Sequence, residues 1–562
     1  MNAFPIGTSA ISTGQRALDL IGQNLANATT PGYHRQAVNL VSRVTGGVRG
    51  TGVDVASITR YTAAPVRTAI LTGNAAQGAL DARLDTRRQI ESTLGTGTGG
   101  IADGINSFFN QVEQLTSRPD STAARRPIVA AAADIARQLN SAATDIDRLR
   151  NDIGTQIPAA VAQVNDLAAR IADFNTRISI REQQGTQAND LRDHRDGLVN
   201  DLSKLIDIRT VEQPFGVVNV IASGAAVVVG EFPNAFQVAA NPSGALVVTQ
   251  SGSAQPVAFK SGSLGANLQE YNTDIPATRA RLDDLAGELV RQVNAVQATG
   301  IGLGGPLATT TGTESATSPT VPLNAAGLPF PISAGQLTVS VTDAATGNRT
   351  NTTLSIDPST DTLQSLATAL GGIAGLTASV NSPGNTLTIQ AQAGFAFDFA
   401  GRDTNPPGGG AVANPDSAGV LAALGVNGLF TGATATGIAV RPDIVADPNR
   451  LAASRTGQPG DGTNLERLAA VRDKAVIGGR TLTDEFADQA SAVGTDVKGL
   501  GDRQTAQAGV LQSLSAQEQS VTGVDTNEEL VHLLEYQRLV QGASKYLSVV
   551  NAALDEVMNI IR

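Results

Sequence analysis

The sequence has no cysteine and no tryptophan, and only 3% of its 562 residues are aromatic. The absence of cysteine excludes disulfide bonds and metal sites with thiolate ligands. The three histidines, His34, His194 and His532, lie far apart and match no metal-binding spacing, so we interpret each as a surface or packing residue. A formal net charge of −11 argues against a nucleic-acid partner, because phosphate binding requires a basic surface.

Long apolar segments are missing as well. The N-terminus lacks the basic and then continuously apolar stretch of a cleavable secretory signal. The most apolar later run, residues 217–230, is interrupted by Asn219, Ser223 and Gly224 and is too short to span a bilayer. The sequence therefore predicts no association with membranes and no secretion through a cleaved signal.

Motifs of catalysis are also lacking. There is no GxSxG serine motif and no P-loop. The segment GIGLGGP at 300–306 imitates a dinucleotide-binding loop, but it follows a predicted helix and runs into Pro306 rather than opening a helix. We interpret it as a turn, and we predict a protein that is not an enzyme and has no catalytic, metal or cofactor site.

What the sequence does contain is a heptad pattern at its C-terminal end. Apolar residues alternate at steps of three and four over about four heptads, which favours a coiled-coil helix over an ordinary amphipathic one. A terminal helix with such a stripe needs a partner to bury it. The first row of the pattern is Leu533, Val540, Leu547, Leu554 and Ile561, and the second is Tyr536, Ala543, Val550 and Val557.

A matching pattern lies at the N-terminal end. Its glycines allow close approach of a second helix, although each glycine costs about 1 kcal/mol of helix stability relative to alanine. Asn24 and Asn27 beside this pattern are candidates for fixing the register, so that Asn24→Leu is expected to strengthen association and weaken its specificity. One row is Phe4, Ile11, Leu18 and Leu25, and the other is Gly7, Gly14, Ile21 and Ala28.

A turn follows this first helix. Pro31 disfavours the α conformation at Thr30, and Pro31-Gly32 suits the centre of a type II turn with positive φ at the glycine. We therefore predict that the helix ends near Ala28, that the chain continues extended, and that the two ends pair in a rod buried between copies. The predicted assembly interface comprises Ile11, Leu18, Asn24, Leu25, Asn27, Pro31, Gly32, Leu533, Tyr536, Val540, Leu547, Val550, Leu554, Val557 and Ile561.

Residues 62–210 are predicted to be mostly helical. Apolar stripes over 128–153 and 157–178 indicate two helices, with Pro158 in the first turn of the second. Four charged residues then crowd the start of a further helix. They form either a solvated face or an ion-pair network that docks this helix on its neighbours. They are Arg192, Asp193, Arg195 and Asp196.

The remaining segments favour a mainly α-helical chain with β-rich insertions. Residues 213–261 contain β-branched runs between glycines, residues 306–330 look like a loop, and residues 335–392 predict a ββαββ unit. We expect an elongated, multi-domain chain in which the β domains lie outward. The predicted domains are a terminal rod at 1–45 and 520–562, a helical-bundle body at 46–212, 262–305 and 456–519, and variable β-rich domains at 213–261 and 306–455.

Both termini also resemble a known group of proteins. GQNLANATTPGYHRQ at 22–36 and GVDTNEELVHLLEYQRLVQGASKYLSVVNAALDEVMNII at 523–561 resemble the terminal signatures of flagellar axial proteins, which form rod, hook and hook-associated structures. Within this group, TPGYHRQ, NDLRDHRDGLVNDLSKLIDIRTVE at 189–212 and the segment at 94–129 are similar to the hook-associated protein 1 family. The resemblance covers residues 1–300 and 455–562. It departs after residue 300, where GIGLGGPL replaces the family's usual Gly-Tyr-Asp turn.

The resemblance implies a structural role in the bacterial flagellum. It implies type III export without a cleaved signal, an extracellular location and a ring of copies that forms the junction between hook and filament. The partners implied are the hook protein, the second junction protein (hook-associated protein 3) and an export chaperone that holds the C-terminal helix. The alternative left open is a cell-surface adhesin or glycan-binding protein that acts through its β modules.

Overall fold

The computed structural model describes residues 3–45, 48–95, 99–402 and 411–561. Within these residues the chain is mainly helical with several small β-sheets, which confirms the predicted fold class. The helices are α1 (Ala3–Ala26), α2 (Ala64–Leu94), α3 (Ile101–Thr116), α4 (Thr122–Gln183), α5 (Asn189–Leu205), α6 (Gly262–Gln269), α7 (Ile275–Ala298), α8 (Leu363–Gly371), α9 (Val420–Ala423), α10 (Pro442–Ala446), α11 (Thr463–Ala469), α12 (Leu482–Thr522) and α13 (Thr526–Ile561).

The strands fall in the segments between these helices. Those of 213–261 and the two hairpins of the predicted ββαββ unit are confirmed. The strands are β1 (Gln36–Thr45), β2 (Val48–Arg60), β3 (Ile208–Glu212), β4 (Val218–Ala222), β5 (Ala225–Val229), β6 (Phe232–Pro233), β7 (Phe236–Ala240), β8 (Leu246–Gln250), β9 (Thr309–Thr311), β10 (Gly335–Asp343), β11 (Arg349–Ile356), β12 (Leu376–Asn381), β13 (Thr386–Ala391), β14 (Phe395–Asp398), β15 (Phe430–Thr431) and β16 (Ala439–Val440).

The chain divides into two compact units. The first consists of Met1–Thr86, Asp152–Asn272 and Lys498–Arg562, and the second of Arg87–Asn151 and Thr273–Val497. Each of the four changes of unit along the chain falls inside a helical segment. Among the described residues, no helix combines the length and the apolar composition needed to cross a bilayer.

Helix α4 corrects one prediction, because it runs through Pro158 where two helices were expected. A proline inside a helix removes one backbone hydrogen bond and costs about 3 kcal/mol. The apolar stripe nevertheless continues on both sides of it, since Ile153, Ile157 and Val161 are all buried. Burial of one uninterrupted stripe therefore outweighs the local cost of the proline.

The first unit contains three small sheets. Strands β1 and β2 form a hairpin, β3 to β6 form an antiparallel sheet in sequence order, and β7 and β8 form a second hairpin. The inward residues of the four-stranded sheet are fully buried, as Val220, Ala222 and Val228 show. Alternation of buried and half-buried residues along β4 gives this sheet one face toward the core.

The second unit contains two three-stranded sheets, in the orders β11-β10-β14 and β12-β13-β9. The two predicted hairpins thus lie in different sheets, and α8 between them contacts β12 and β13. Strand β9 lies in the stretch that was predicted to be a loop, and that prediction is wrong for Thr309–Thr311. Threonine is β-branched and suits a pleated surface, and Thr310 is buried between its exposed neighbours.

At several strand starts, the side-chain amide of an asparagine in a helix bonds to both the backbone N–H and the backbone oxygen of the first residue of the strand. We call this arrangement an asparagine clamp. Asn175 on α4 accepts the backbone N–H of Val218 at 3.2 Å and donates to the backbone oxygen of the same residue at 2.8 Å. Both polar groups of Val218, which lies opposite Glu212 of β3 at the end of the sheet, are thereby paired. The same pair of bonds joins Asn165 to Phe236, Asn272 to Leu246 and Asn294 to Phe430.

Candidate assembly interface at the chain termini

Helices α1 and α13 pack against each other, which confirms the predicted pairing of the chain ends. A Cβ atom added to Gly7 would lie 2.6 Å from Leu547 Cγ, and one added to Gly14 would lie 2.5 Å from Val540 Cγ2. Residue numbers rise along α1 as they fall along α13, so the helices are antiparallel. The two glycines are the hollows that admit the larger side chains of α13.

On α13, the predicted stripe is the least exposed face as far as Val550. Beyond that residue the face opens to solvent, with Leu554 37% and Val557 51% exposed. The helix extends to Ile561, whose side chain lies outside the described residues. The half-buried members of the stripe are Leu533, Tyr536, Val540, Ala543, Leu547 and Val550.

On α1, only one of the two predicted rows is buried. Gly7, Gly14 and Ile21 are buried, whereas Ile11 and Leu18 are half-buried and Leu25 is exposed. The helix is covered on a second side by residues that lie outside both predicted heptad rows, and among them only Asn24 was predicted from the sequence. They are Ser9, Thr13, Ala17, Leu20 and Asn24.

The second side of α1 packs on the β1–β2 hairpin. The backbone N–H of Val53 donates to Ser9 Oγ at 3.2 Å, and Thr13 Oγ1 donates to the oxygen of Val53 at 3.2 Å. Gly52 approaches so closely that an added Cβ would lie 2.0 Å from Ser9 Oγ. Small and hydroxyl residues therefore let one helix contact a strand and a second helix at once.

Asn24 and Asn27 have different surroundings. Asn24 is buried, and it clamps the first residue of β1 by accepting the N–H of Gln36 at 3.1 Å and donating to the oxygen of Gln36 at 2.8 Å. It also donates to Glu529 Oε2 at 3.1 Å and accepts from the Tyr33 hydroxyl at 2.9 Å. Among the described residues, the side chain of Asn27 is bonded locally, to the oxygen of Gln23 and the hydroxyl of Thr30.

The turn after α1 has the predicted geometry. The helix ends at Ala26, Pro31 and Gly32 are exposed, and Gly32 has φ of +78°, which confirms the expected positive φ. The chain then becomes extended and enters β1 at Gln36. The turn therefore returns the chain along α1 and brings Gln36 onto Asn24.

The base of α13 is held by an ion-pair anchor. Arg35 Nε lies 2.7 Å from the buried carboxylate of Glu529, and Arg35 Nη2 lies 2.9 Å from the carboxylate of Glu528. The backbone N–H of Arg35 donates to the oxygen of Thr522 at 2.8 Å. Burial and the nearby carboxylates raise the pKa of Tyr33 to about 12, so its hydroxyl remains a donor to Asn24.

The charged residues at the start of α5 form an ion-pair network, which confirms the docking alternative over a solvated face. Asp193 pairs with Arg60 at 2.6 Å and with His34 Nδ1 at 2.7 Å, and Asp196 pairs with Arg60 at 2.8 Å and with Arg195 at 3.0 Å. Burial opposes ionisation of Asp196, but the surrounding guanidinium groups hold the pKa of its carboxyl well below its usual range. This network joins β2 to α5 and places the turn at His34 against both.

The other histidines are packing and surface residues. His194 stacks on Phe174, with 6.0 Å between ring centroids, and His532 lies within α13 beside Glu528 and Glu535. Within the described parts of the chain, no three His, Cys, Asp or Glu side chains are placed together to hold a metal ion.

Comparison with known proteins agrees with this architecture. Residues 87–313 match a family model described as the flagellar hook-associated protein FlgK helical domain. The chain is 27% identical to flagellar hook-associated protein 1 of Salmonella typhimurium and 25% identical to that of Escherichia coli, in both cases over 98% of each chain. It is 24% identical to that of Bacillus subtilis, over 98% of this chain and 96% of the relative.

A solved structure shows the same fold. The flagellar hook junction protein FlgK from Burkholderia pseudomallei aligns with a TM-score of 0.50 at 17% identity, covering 81% of this chain and all of that one. The paired terminal helices and the helical domain define the class of flagellar axial proteins. Within that class, the chain is similar along nearly its whole length to flagellar hook-associated protein 1, and it is a structural component of the flagellum.

Proposed function

We propose that this protein forms the junction between hook and filament, as a ring of copies joined through their terminal helices. The observation that carries this is the apolar surface that the α1–α13 pair leaves uncovered. On α1, Phe4 is 47% exposed. On α13, Val549 is 63%, Met558 65% and Ile560 76% exposed. Contiguous apolar surface of this kind marks an interaction site in soluble proteins.

The proposed interface keeps the fifteen terminal residues predicted from sequence and adds neighbours to them. Leu539, Tyr546, Val549 and Ile560 form an exposed apolar row beside the predicted stripe of α13. Leu539 and Tyr546 also border α1, since each lies 3.2 Å from a Cβ atom added at Gly14 or Gly7. We propose that the predicted stripe closes the intrachain pair, while the exposed surface of this neighbouring row and the flank of α1 with Ile11, Leu18 and Leu25 contact other copies, the hook protein and hook-associated protein 3.

The test uses charges on surface that the isolated chain leaves open. A Val549→Asp, Ile560→Asp double variant should fold as a monomer with unchanged helix content, because both side chains are exposed, yet it should release filament protein into the medium. A buried aspartate in an assembled interface costs several kcal/mol. Ser544→Asp, also exposed on α13, serves as the matched control for added charge. Normal filament retention by the double variant would refute the proposed interface.

We further propose that the protein is exported through the flagellum to the exterior without a cleaved signal, and that an export chaperone covers α13 before export. The exposed apolar surface of α13 with Val549, Met558 and Ile560 supports this, because it would otherwise self-associate. A chain truncated after Gly523 lacks α13 and should lose binding to the chaperone in a pull-down assay. Undiminished binding would place the chaperone site on another part of the chain.

The domain division is proposed in the same terms. The rod is 1–45 and 520–562, the body is 46–212, 262–305 and 456–519, and the β-rich outer parts are 213–261 and 306–455. The role proposed is structural and not catalytic. Deletion of residues 310–455 should therefore spare motility, and loss of adhesion with unimpaired swimming would instead favour a surface-binding role for the β modules.

A further inference from the structure

A cavity of about 390 Å³ lies beside the α5 ion-pair network in the first unit. Its walls come from the end of β2, the first turns of α2, the start of α5 and the strands β3 and β4. Four arginines and two carboxylates line it, in a chain whose net charge is −11. The lining arginines are Arg60, Arg67, Arg192 and Arg195, and the carboxylates are those of Asp196 and Glu212.

The arginines differ in how fully their donors are used. Arg60 and Arg195 are bonded to Asp193, Asp196 and the oxygen of Gly216, so they act as walls of the cavity. Arg67 makes one hydrogen bond within the described residues, from Nη2 to the backbone oxygen of Asp196 at 3.0 Å, and a 3.4 Å ion pair with the same residue. A guanidinium has five N–H donors, so Arg67 retains donors toward the cavity.

Glu212 forms an ion pair with Arg192, the other arginine with accessible donors, from the solvent side of the cavity. Its carboxylate lies 3.1 Å from Arg192 Nη1, while the rest of that guanidinium is held by Glu182 at 2.8 Å. The side chain of Glu212 is 69% exposed. An exposed ion pair contributes little free energy, so an incoming anion can replace this carboxylate at small cost.

Neutral donors and a helix end complete the cavity. Threonine hydroxyls and a glutamine amide face it from three elements, and Asn189 is the first residue of α5. The residue before it, Ala188, has no side-chain cap, and unpaired N–H groups at a helix start favour anions. The neutral lining residues are Thr59, Thr62, Thr68, Thr210 and Gln187.

We propose that this cavity binds a small oxyanion, a phosphate or carboxylate group, between Arg67 and Arg192, and that Glu212 is its intramolecular competitor. Planar guanidinium groups hold such groups through paired, charge-assisted hydrogen bonds. The site is separate from the terminal helices and does not depend on the proposed function. Its occupation would link β2, α2 and α5 through one shared anion.

The test is calorimetric titration of inorganic phosphate into the full chain in a chloride buffer, with ionic strength matched throughout. Saturable binding of one phosphate is expected, and Arg67→Gln should weaken it about tenfold, the loss of one charge-assisted contact. Arg43→Gln on the β1–β2 hairpin, where Arg43 is exposed and paired with Asp54, should leave the affinity unchanged. Titration with citrate and acetate separates a preference for phosphate from one for carboxylates.

Removing the competing carboxylate of Glu212 should have the opposite effect on phosphate affinity. Glu212→Gln removes a mainly exposed side chain, so the fold should be retained and phosphate affinity should rise several-fold. Absence of saturable binding to both the parent chain and the Glu212→Gln variant would overturn the proposal. So would equal phosphate affinity in the parent chain and the Arg67→Gln variant, since that would place the anion elsewhere.

Discussion

The stripes of α4 and α13 have similar spacing but very different burial. On α4, Ile135, Ile146 and Ile171 are fully buried, so the chain itself completes the packing around that helix. On α13, Leu547 is half-buried and Val557 is 51% exposed. A periodic pattern of apolar residues therefore shows that a helix has a face to bury. How much of that face a single chain buries depends on the residues that pack against it.

The first consequence concerns core substitutions in the two helices. Ile146→Ala should lower the free energy of unfolding by about 2–5 kcal/mol, because it removes buried methylene groups and leaves a cavity. Leu547→Ala should cost less, about 1 kcal/mol in the isolated chain, since part of that side chain already contacts water. Urea unfolding followed by circular dichroism measures both. Equal losses would show that α13 is packed as tightly as α4.

The second consequence concerns the asparagine clamps. Asn175→Leu should destabilise the first unit by about 1–3 kcal/mol, because the N–H and oxygen of Val218 and the oxygen of Gly230 lose their partner. Asn151→Leu on the same helix is the control, since Asn151 is exposed. A similar unfolding midpoint for both variants would show that water replaces the clamp at no cost.

These clamps mark where sequence reasoning succeeded and where it stopped. The amide at Asn24 was recognised from its position in a helical run, and it was predicted to fix register between helices. In the structure it clamps Gln36 and reaches Glu529 of the same chain, so Asn24→Leu should destabilise the base of the pair rather than strengthen it. A heptad pattern shows which face is buried, but it does not identify the backbone that an amide will meet.

The pattern of charged residues also left the distant partners of those residues unidentified. The cluster at Arg192–Asp196 allowed a solvated face or a network, and the choice depends on partners far away in sequence, such as Arg60 and His34. The strand at Thr309–Thr311 was missed because only pairing with residues 388–390 of β13 makes three threonines a strand rather than a loop. The elements that local pattern predicted well were the long helices, whose period repeats many times.

The third consequence is a difference in pH dependence between the two units. In the second unit, burial raises the pKa of Asp416 from 3.8 to about 6 despite hydrogen bonds from the N–H groups of Leu421 and Val420. Between these pH values the folded state binds a proton that the unfolded state lacks, so stability there should rise by about 1 kcal/mol as pH falls through 6. Asp196 in the first unit has a lowered pKa, so its contribution persists until the pH falls below 3.8.

Hydrogen exchange resolved by segment, corrected for the intrinsic rate at each pH, separates the units. As the pH is lowered from 7 to 5, protection from hydrogen exchange near β10 and α9 should increase, while protection in α5 should stay constant. Asp416→Asn removes the titrating group but keeps an oxygen acceptor, and it should flatten the response of the second unit. An unchanged response in that variant would assign the pH dependence to other carboxylates.

The smallest effects are expected within α1 itself. Replacing Gly14 or Gly22 with alanine tests how closely α1 packs against α13. An alanine at position 14 would place its methyl group 2.5 Å from Val540 Cγ2 and 3.2 Å from Leu539 Cδ2, and a β-branched valine has little freedom to move aside. At position 22 an added methyl meets nothing within 4 Å. Gly22→Ala should therefore stabilise α1 by up to about 1 kcal/mol through helix propensity alone.

Gly14→Ala gains the same propensity but pushes α13 away, so protection of α13 from hydrogen exchange should fall. If both variants protect α13 equally, the helices pack less closely than their glycines allow, and the hollow at Gly14 is not what positions α13.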